Sequence, residues 1–197
     1  VVQDINDHML SLTNSECKDY YSSDSVCNVS FDSDRPENIY TYEFSNGINI
    51  SGLVAHKISL KIGVPVMLLR NLDQSVGLCN GTRMIITHLG DHVIGEKNLT
   101  CFNSGYNAFI PRLTMTQSDI RWPFKLQRRK YPLIICYAMT VNKSQGQSFS
   151  SVGLFLHSPV FSHGQLYVAV SRVTSPNGLK IIVEDSHNRA ADCTHNI

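Results

Sequence analysis

A segment near the C-terminal end carries the residue types that could hold phosphate. It reads Tyr137-Ala-Met-Thr-Val-Asn-Lys-Ser-Gln-Gly-Gln147, so that an apolar run from Leu133 to Met139 gives way to hydrogen-bond donors, a lysine and a glycine. Such a change is typical of a buried parallel strand that ends in a ligand-binding loop. We interpret the residues after Met139 as a loop that contacts phosphate.

A second segment, Gly164-Gln-Leu-Tyr-Val-Ala-Val-Ser-Arg172, has the period of an amphipathic helix. Gln165 and Arg172 are seven residues apart and would share one face of a helix over 161–173. An arginine in that place can reach another group across a cleft. The predicted apolar stripe of the helix consists of Leu166, Ala169, Val170 and Val173.

Strands alternate with helices in the part of the chain that contains both segments. The pattern predicts strands at 133–139, 152–156 and 179–183, with helices at 140–147 and 161–173 between them. This order favours an α/β domain with a parallel sheet covered on both faces. The ligand cleft is then expected at the carboxyl ends of the strands.

Short strands separated by turn signals precede this region. Runs at 64–69, 82–87 and 109–115 are interrupted by Asn80-Gly81, a two-residue hairpin signal, and by Gly90-Asp91. This spacing predicts a small antiparallel barrel. Further upstream, apolar residues at helical spacing predict a short helix over 1–13 that serves core packing, and a second one is predicted over 41–48. The apolar residues of the first helix are Val2, Ile5, Met9 and Leu12.

The segment 121–131 holds five basic and three aromatic residues and no acidic residue. Basic side chains neutralise phosphates and aromatic faces stack on unpaired bases, so this composition suits a single strand. We expect Trp122 to stack, and Lys125, Arg128 and Arg129 to contact phosphates. The alternative is a solvated basic turn in which Trp122 packs into the core.

Composition sets limits on the class of protein. The chain has 197 residues, of which 42 % are hydrophobic and 17 % charged, which is enough for one core and a small second module. Residues 1–45 hold nine acidic against two basic residues, and the remainder holds fifteen basic against seven acidic. The basic part is compatible with a polyanion. The six cysteines form no Cys-x-x-Cys pair, which favours a reducing compartment, and no metal site or membrane anchor is predicted.

Taken together, the two segments resemble the last two motifs of superfamily-one DNA helicases. The match is closest to the PIF-like branch (superfamily 1B) and its Helitron relatives of plants. It is carried by Ala138-Met-Thr-Val-Asn-Lys-Ser-Gln-Gly-Gln147 and Gln165-Leu-Tyr-Val-Ala-Val-Ser-Arg172, joined by Leu60-Lys-Ile-Gly-Val-Pro-Val-Met-Leu-Leu-Arg-Asn-Leu-Asp73 and Leu78-Cys-Asn-Gly-Thr-Arg83. The resemblance implies a RecA-like second motor domain of the P-loop NTPase type at 1–62 and 133–197. It also implies an inserted SH3-like β-barrel at 63–132.

The resemblance also implies roles for individual residues. Arg172 would be the catalytic arginine finger. Asn142 stands where many relatives of the wider superfamily have histidine. Nucleotide-binding positions would be Gln145, Gly146, Gln165 and Arg172, and DNA-binding positions Thr140, Asn142, Lys143 and Ser144.

The implied activity is ATP-dependent unwinding of DNA, with translocation 5′-to-3′ along a single strand. ATP, Mg²⁺, single-stranded DNA, duplex junctions and a first RecA-like domain are the implied partners, in the nucleus or a mitochondrion. Repair, recombination, telomere maintenance and transposition are not distinguished. The sequence contains no Gly-x-x-x-x-Gly-Lys-Ser/Thr loop. We therefore expect the C-terminal half of a motor, inactive alone, either excerpted from a longer protein or a decayed copy. The alternatives are a transposon-derived nucleic-acid-binding module without ATPase activity and an interaction domain without a nucleic acid partner.

Overall fold

Antiparallel strands dominate the N-terminal part of the chain, and a parallel pair forms the centre of the C-terminal part. The computed structural model describes residues 1–28, 42–47, 54–99, 105–116, 124–157, 164–184 and 190–191. Two compact units divide the chain, Val1–Ala138 and Met139–Ile197. In chain order the elements are α1 (Val2–Leu12), β1 (Cys17–Tyr21), β2 (Ser23–Asn28), α2 (Tyr42–Gly47), β3 (Lys57–Lys61), β4 (Pro65–Leu68), β5 (Arg83–Leu89), β6 (Val93–Asn98), β7 (Asn107–Pro111), β8 (Leu113–Thr116), β9 (Phe124–Lys130), β10 (Leu133–Ile135), β11 (Val152–Leu156), α3 (Gln165–Val170), β12 (Leu179–Glu184) and β13 (Ala190–Ala191).

A five-stranded antiparallel sheet in the order β10-β4-β5-β6-β7 forms the centre of the first unit. Strand β7 alternates buried and exposed residues, as does the first half of β5, whereas β4 buries Val66, Met67 and Leu68 in succession. Tyr20 and Tyr131 meet edge to face with their ring centroids 5.2 Å apart. Their hydroxyls donate to the carbonyls of Gly90 and Asp91 at 2.8 and 3.0 Å and so hold the β5–β6 turn. The fully buried core residues include Leu60, Val64, Val66, Leu68, Met84, Ile94, Ile110 and Leu133.

Two smaller sheets complete the first unit: β1 pairs with β3, and β9 lies between β2 and β8. Along β9 the side chains alternate sharply in exposure. Leu126, Arg128 and Lys130 are fully buried, whereas Arg129 is exposed. Strand β9 therefore turns two of its basic residues into the protein.

Helix α1 forms where predicted but buries a different face. Met9 and Leu12 are 38 % and 59 % exposed, while Asn6 and Leu10 are 4 % and 8 % exposed. The predicted stripe through Met9 and Leu12 is thus wrong, because the helix turns Asn6, a polar residue, toward the interior. A pattern of apolar residues does not include a buried polar residue such as Asn6.

Two strand predictions also need correction. The strand expected at 133–139 is reduced to β10, which pairs antiparallel with β4 and completes the five-stranded sheet. The Asn80-Gly81 signal does not join two strands directly, because residues 69–82 form a longer connection closed by a bridge between Asp73 and Leu78. The turn at Gly90-Asp91 is confirmed.

In the second unit, β11 and β12 run parallel, as predicted. Their inner residues pack with Ala169 of α3 and with Val141. Gly178 precedes β12 where a Cβ atom would lie 2.0 Å from the Ser150 carbonyl oxygen, so only glycine fits. Helix α3 is shorter than predicted and ends at Val170. No helix in the described part of the chain is long and apolar enough to span a membrane.

Candidate nucleotide and nucleic-acid site

The loop at 139–147 contains a tight 3-10 turn, Val141–Ser144, in place of the predicted α-helix. The Thr140 carbonyl accepts hydrogen bonds from the backbone N–H groups of Lys143 and Ser144, at 3.0 and 3.2 Å. This fold leaves Thr140, Asn142 and Lys143 exposed. Of the four side chains in this loop that are predicted to contact DNA, three are therefore accessible to a ligand.

Ser144 is the exception in this loop. Its side chain is buried, and its hydroxyl donates to the Val141 carbonyl at 2.7 Å. A hydroxyl that closes the turn from within does not face a phosphate. The DNA-contacting role predicted for Ser144 is corrected to a structural one, since its hydrogen bond stabilises the turn that displays Lys143.

Gln145 and Gly146 follow the turn and are both exposed. Gly146 has φ +77°, in the left-handed region, and no atom lies within 4 Å of where its Cβ would stand. The need for glycine here is conformational, because side chains strain this backbone. The open space beside it also lets another group approach the backbone closely.

Arg172 lies in the turn after α3, not on the helix itself. Its guanidinium donates to the carbonyls of Val168 and Gln147, at 3.0 and 3.3 Å, and to the Ser171 hydroxyl at 2.9 Å. The predicted common helical face with Gln165 is thus wrong, because Gln165 begins α3 and the helix ends before Arg172. What joins Arg172 to the loop is its contact with Gln147.

The main chain ties the same two segments together. The Arg172 carbonyl accepts from the N–H of Phe149 at 2.8 Å, and the Phe149 carbonyl accepts from Thr174 at 3.0 Å. Among the described residues no carboxylate pairs with Arg172. A half-buried guanidinium without a counter-ion is a suitable partner for an anion, since each of its present acceptors is neutral.

Strand β9 does not offer all the bases that its sequence suggested. Arg128 binds both carboxylate oxygens of Asp24, with the shortest contact at 2.7 Å, and donates to the Val54 carbonyl at 2.9 Å. The two side chains are 0 % and 1 % exposed. A buried guanidinium bound to a carboxylate cannot neutralise a phosphate, so the DNA-contacting role predicted for Arg128 is wrong. Arg129 is exposed beside Thr114.

Two predicted residues of the same segment cannot be placed. Trp122 lies outside the described residues, and Lys125 has a described position in β9, opposite Cys27, but its side chain is outside the described part. The stacking role of Trp122 and the phosphate contact of Lys125 therefore stay predictions.

Lys130 is a buried base that sequence reasoning missed. Its ammonium donates to the Ala55 carbonyl, and burial, followed by repulsion from Arg128, lowers its pKa to about 7. The signal was present in the sequence: Lys130 has the same parity along the strand as buried Leu126, so it points inward. At neutral pH this side chain is partly uncharged.

Glu96 is a second titratable group inside the first unit. It lies on β6 between Ile86 and Ala108 and is 0 % exposed, and its carboxyl oxygens accept no hydrogen bond from the residues that the structure describes. Burial raises its pKa to about 8. Its carboxyl is therefore mostly protonated at neutral pH, which lessens the cost of burying it.

Comparisons with known proteins agree on one family. The model of the DNA helicase Pif1 2B domain matches residues 43–89. The ATP-dependent DNA helicase PIF1 of Xenopus laevis is 38 % identical over 141 residues, which is 68 % of this chain and 21 % of that protein. This chain thus spans about a fifth of the length of the curated relatives it matches.

Solved structures give the same result. The fold is similar to that of the Pif1 helicase from Candida albicans, with a TM-score of 0.68 and 22 % identity over 97 % of this chain and 45 % of that one. Bacteroides Pif1 bound to single-stranded DNA is 26 % identical, with a TM-score of 0.62 over 91 % of this chain and 38 % of that one. Together these comparisons define the chain as part of a superfamily-one DNA helicase. Within that class, this chain belongs to the Pif1-like branch.

Proposed function

We propose that this chain is the second RecA-like motor domain of an ATP-dependent DNA helicase that moves 5′-to-3′ on single-stranded DNA and opens duplexes at junctions. The observation that carries the proposal is the Arg172 guanidinium. It has no carboxylate partner among the described residues and rests on the Gln147 carbonyl of the exposed loop. One arginine side chain thereby contacts the segment that the sequence assigns to nucleotide and DNA.

In this proposal Arg172 is the arginine finger. A planar, permanently charged guanidinium stabilises the charge that develops on the phosphoryl oxygens as the bond to the leaving group breaks. Gln145, Gly146 and Gln165 would line the nucleotide cleft. ATP and Mg²⁺ would be held mainly by a first RecA-like domain, which is the proposed protein partner.

The DNA strand would be contacted at two places. Thr140, Asn142 and Lys143 are exposed on the loop and can donate to phosphates. Exposed Arg129 on β9 is the supported member of the basic aromatic segment, and Lys125 and Trp122 remain proposals beside it. The domain division proposed is 1–62 with 133–197 for the motor and 63–132 for an SH3-like insertion. The antiparallel pairing of β4 to β7 is compatible with that insertion.

The proposed compartment is the nucleus or a mitochondrion, with a role in DNA repair, recombination, telomere maintenance or Helitron transposition. A second candidate is a nucleic-acid-binding module without ATPase activity. It is compatible with the exposed Thr140, Asn142 and Lys143 side chains, which can bind nucleic acid phosphates without nucleotide hydrolysis. The two candidates differ in whether nucleotide hydrolysis depends on Arg172 once a P-loop half is present.

The test is phosphate release by a protein that joins this chain to the P-loop half of a relative. Arg172→Ala is expected to lower DNA-stimulated turnover on the order of a thousandfold, because the finger acts only in the transition state. Single-stranded DNA affinity should stay within about twofold. Lys180→Ala, which removes an exposed cation of β12, is the matched control. Turnover at the parental rate in Arg172→Ala would contradict the finger and favour the second candidate.

A further inference from the structure

Helix α1 makes an unexpected contact with the residue that precedes the loop. Asn6 is 4 % exposed, and its side-chain amide forms hydrogen bonds with both the N–H and the carbonyl of Ala138. The Ala138 N–H donates to Oδ1 of Asn6 at 2.8 Å, and Nδ2 of Asn6 donates to the Ala138 carbonyl at 3.0 Å. The amide thus pairs with this peptide as a neighbouring strand would.

The contact occurs where regular strand pairing has stopped. Strand β10 ends at Ile135, and the N–H of Cys136 still reaches the Pro65 carbonyl at 3.0 Å. Two residues further, both backbone groups of Ala138 are satisfied by Asn6. The same helix also holds Tyr137, whose hydroxyl lies 2.9 Å from Oγ1 of Thr13. Helix α1 therefore fixes the two residues immediately before Met139, where the second unit begins.

An apolar residue would suit position 6 better if packing were its only purpose. Asn6 lies four residues from Leu10, on the buried face of an amphipathic helix. Leucine has a higher helix propensity than asparagine, and burial of an amide is costly unless it is hydrogen-bonded. The side chain at this position is therefore best explained by the directional pairing that only an amide provides.

We propose that Asn6 is a positioning residue for the 139–147 loop. By holding the Ala138 peptide in one orientation, it sets the direction in which the chain enters the turn that exposes Thr140 and Lys143. The loop's contact with DNA rests on the proposed function, whereas the positioning itself does not. Helix α1, remote in sequence from both motifs, then becomes part of the machinery that presents them.

The first test uses amide hydrogen exchange in the intact chain. The N–H groups of Lys143 and Ser144 are bonded to the Thr140 carbonyl, so their exchange reports the closed turn. In Asn6→Leu their exchange is expected to accelerate about tenfold relative to the parent. Tyr137→Phe removes one hydrogen bond of α1 to the adjacent residue without touching Ala138. As the matched control, it should leave their exchange within about twofold.

The second test measures binding of a fluorescent oligo-dT by anisotropy. Asn6→Leu is expected to weaken binding about tenfold, and Asn6→Asp, which keeps the acceptor for the Ala138 N–H and loses the donor, by less. In a Lys143→Ala background the Asn6→Leu change should add less than about twofold, since coupled residues are not additive. Asn6→Asp has the same size as the parent residue and serves for both tests if Asn6→Leu does not fold.

The positioning role of Asn6 and the DNA contact of the loop can be contradicted separately. Unchanged exchange at Lys143 and Ser144 in a folded Asn6 variant overturns the positioning role, whatever happens to DNA. Accelerated exchange together with parental DNA binding in Lys143→Ala supports the positioning and overturns only the DNA contact of the loop.

Discussion

Strand β9 and the 139–147 loop are both predicted to contact DNA; β9 holds four basic residues and the loop holds one, Lys143. In β9, Arg128 and Lys130 turn inward and are fully buried, which leaves Arg129 as the described base that faces solvent. In the loop, Lys143 faces solvent, and the nearby Arg172 guanidinium rests on neutral acceptors alone. A basic residue thus forms an internal ion pair in one region and is an accessible charge in the other.

The difference shows that charge along a sequence is not a map of charge on a surface. The acidic N-terminal stretch supplies Asp24, which neutralises Arg128 from the adjacent strand β2. It also supplies Asp19, which pairs with Lys57 at 2.8 Å. Part of the apparent separation between an acidic and a basic region is therefore cancelled by folding. Successive side chains of a strand point to opposite faces, so β9 buries Arg128 and Lys130 and exposes Arg129. The tight turn has no such alternation and leaves Lys143 exposed.

The largest difference between buried and exposed charges is expected when the internal counter-ion, Asp24, is removed. Asp24→Ala removes the carboxylate that binds the buried Arg128 guanidinium and is expected to lower the free energy of unfolding by about 3–5 kcal/mol. The measurement is urea unfolding. Asp19→Ala, which removes an exposed partner of Lys57, should cost less than about 1 kcal/mol. Equal effects of the two substitutions would refute the distinction between buried and exposed pairs.

Buried titratable groups give a pH dependence of intermediate size. Glu96, with a pKa of about 8 against an ordinary 4.5, stays protonated in the fold, so stability present below pH 4.5 is lost as pH rises toward 8. Lys130 has a pKa of about 7 against 10.5, so stability present above pH 10.5 is lost as pH falls toward 7. The two trends oppose each other, and we expect the lowest stability near neutral pH.

Two substitutions separate these trends in thermal or urea unfolding across pH. Glu96→Gln should remove the decline in the free energy of unfolding between pH 5 and 8 and leave the alkaline rise. Lys130→Met should do the reverse. A parental profile that is flat from pH 5 to 10, and stays flat in both variants, would show that neither group titrates abnormally.

The smallest effect is expected from a substitution on the solvent-facing side of β9. Arg129→Ala should leave the free energy of unfolding within about 0.5 kcal/mol. It should flatten the log-log salt dependence of single-strand binding by roughly 0.7, the value for one released phosphate contact. Gln127→Ala, on the same side of the strand but uncharged, is the control and should leave the slope unchanged. An unaltered slope in Arg129→Ala would remove β9 from the DNA surface altogether.

The sequence predicts the regular elements better than the partners of polar side chains. The parallel pair β11–β12 and the turn at Gly90-Asp91 follow from local periodicity and turn chemistry, which short windows contain. The pairing of β10 with β4, the Asp24–Arg128 ion pair and the Asn6–Ala138 contact join residues 65 or more positions apart. No local pattern specifies such contacts. Arg172 was found by its motif, but its place in a turn depended on where α3 ends.

The burial of Lys130 also affects chemical labelling. An uncharged primary amine is the form that reacts with acylating reagents, yet this one is fully buried against the Ala55 carbonyl. A reagent can reach it only when β9 separates from its surroundings, and the amine is then released into water. The rate of acylation at Lys130, compared with the rate at exposed Lys143, would therefore measure how often the strand opens, without any added probe.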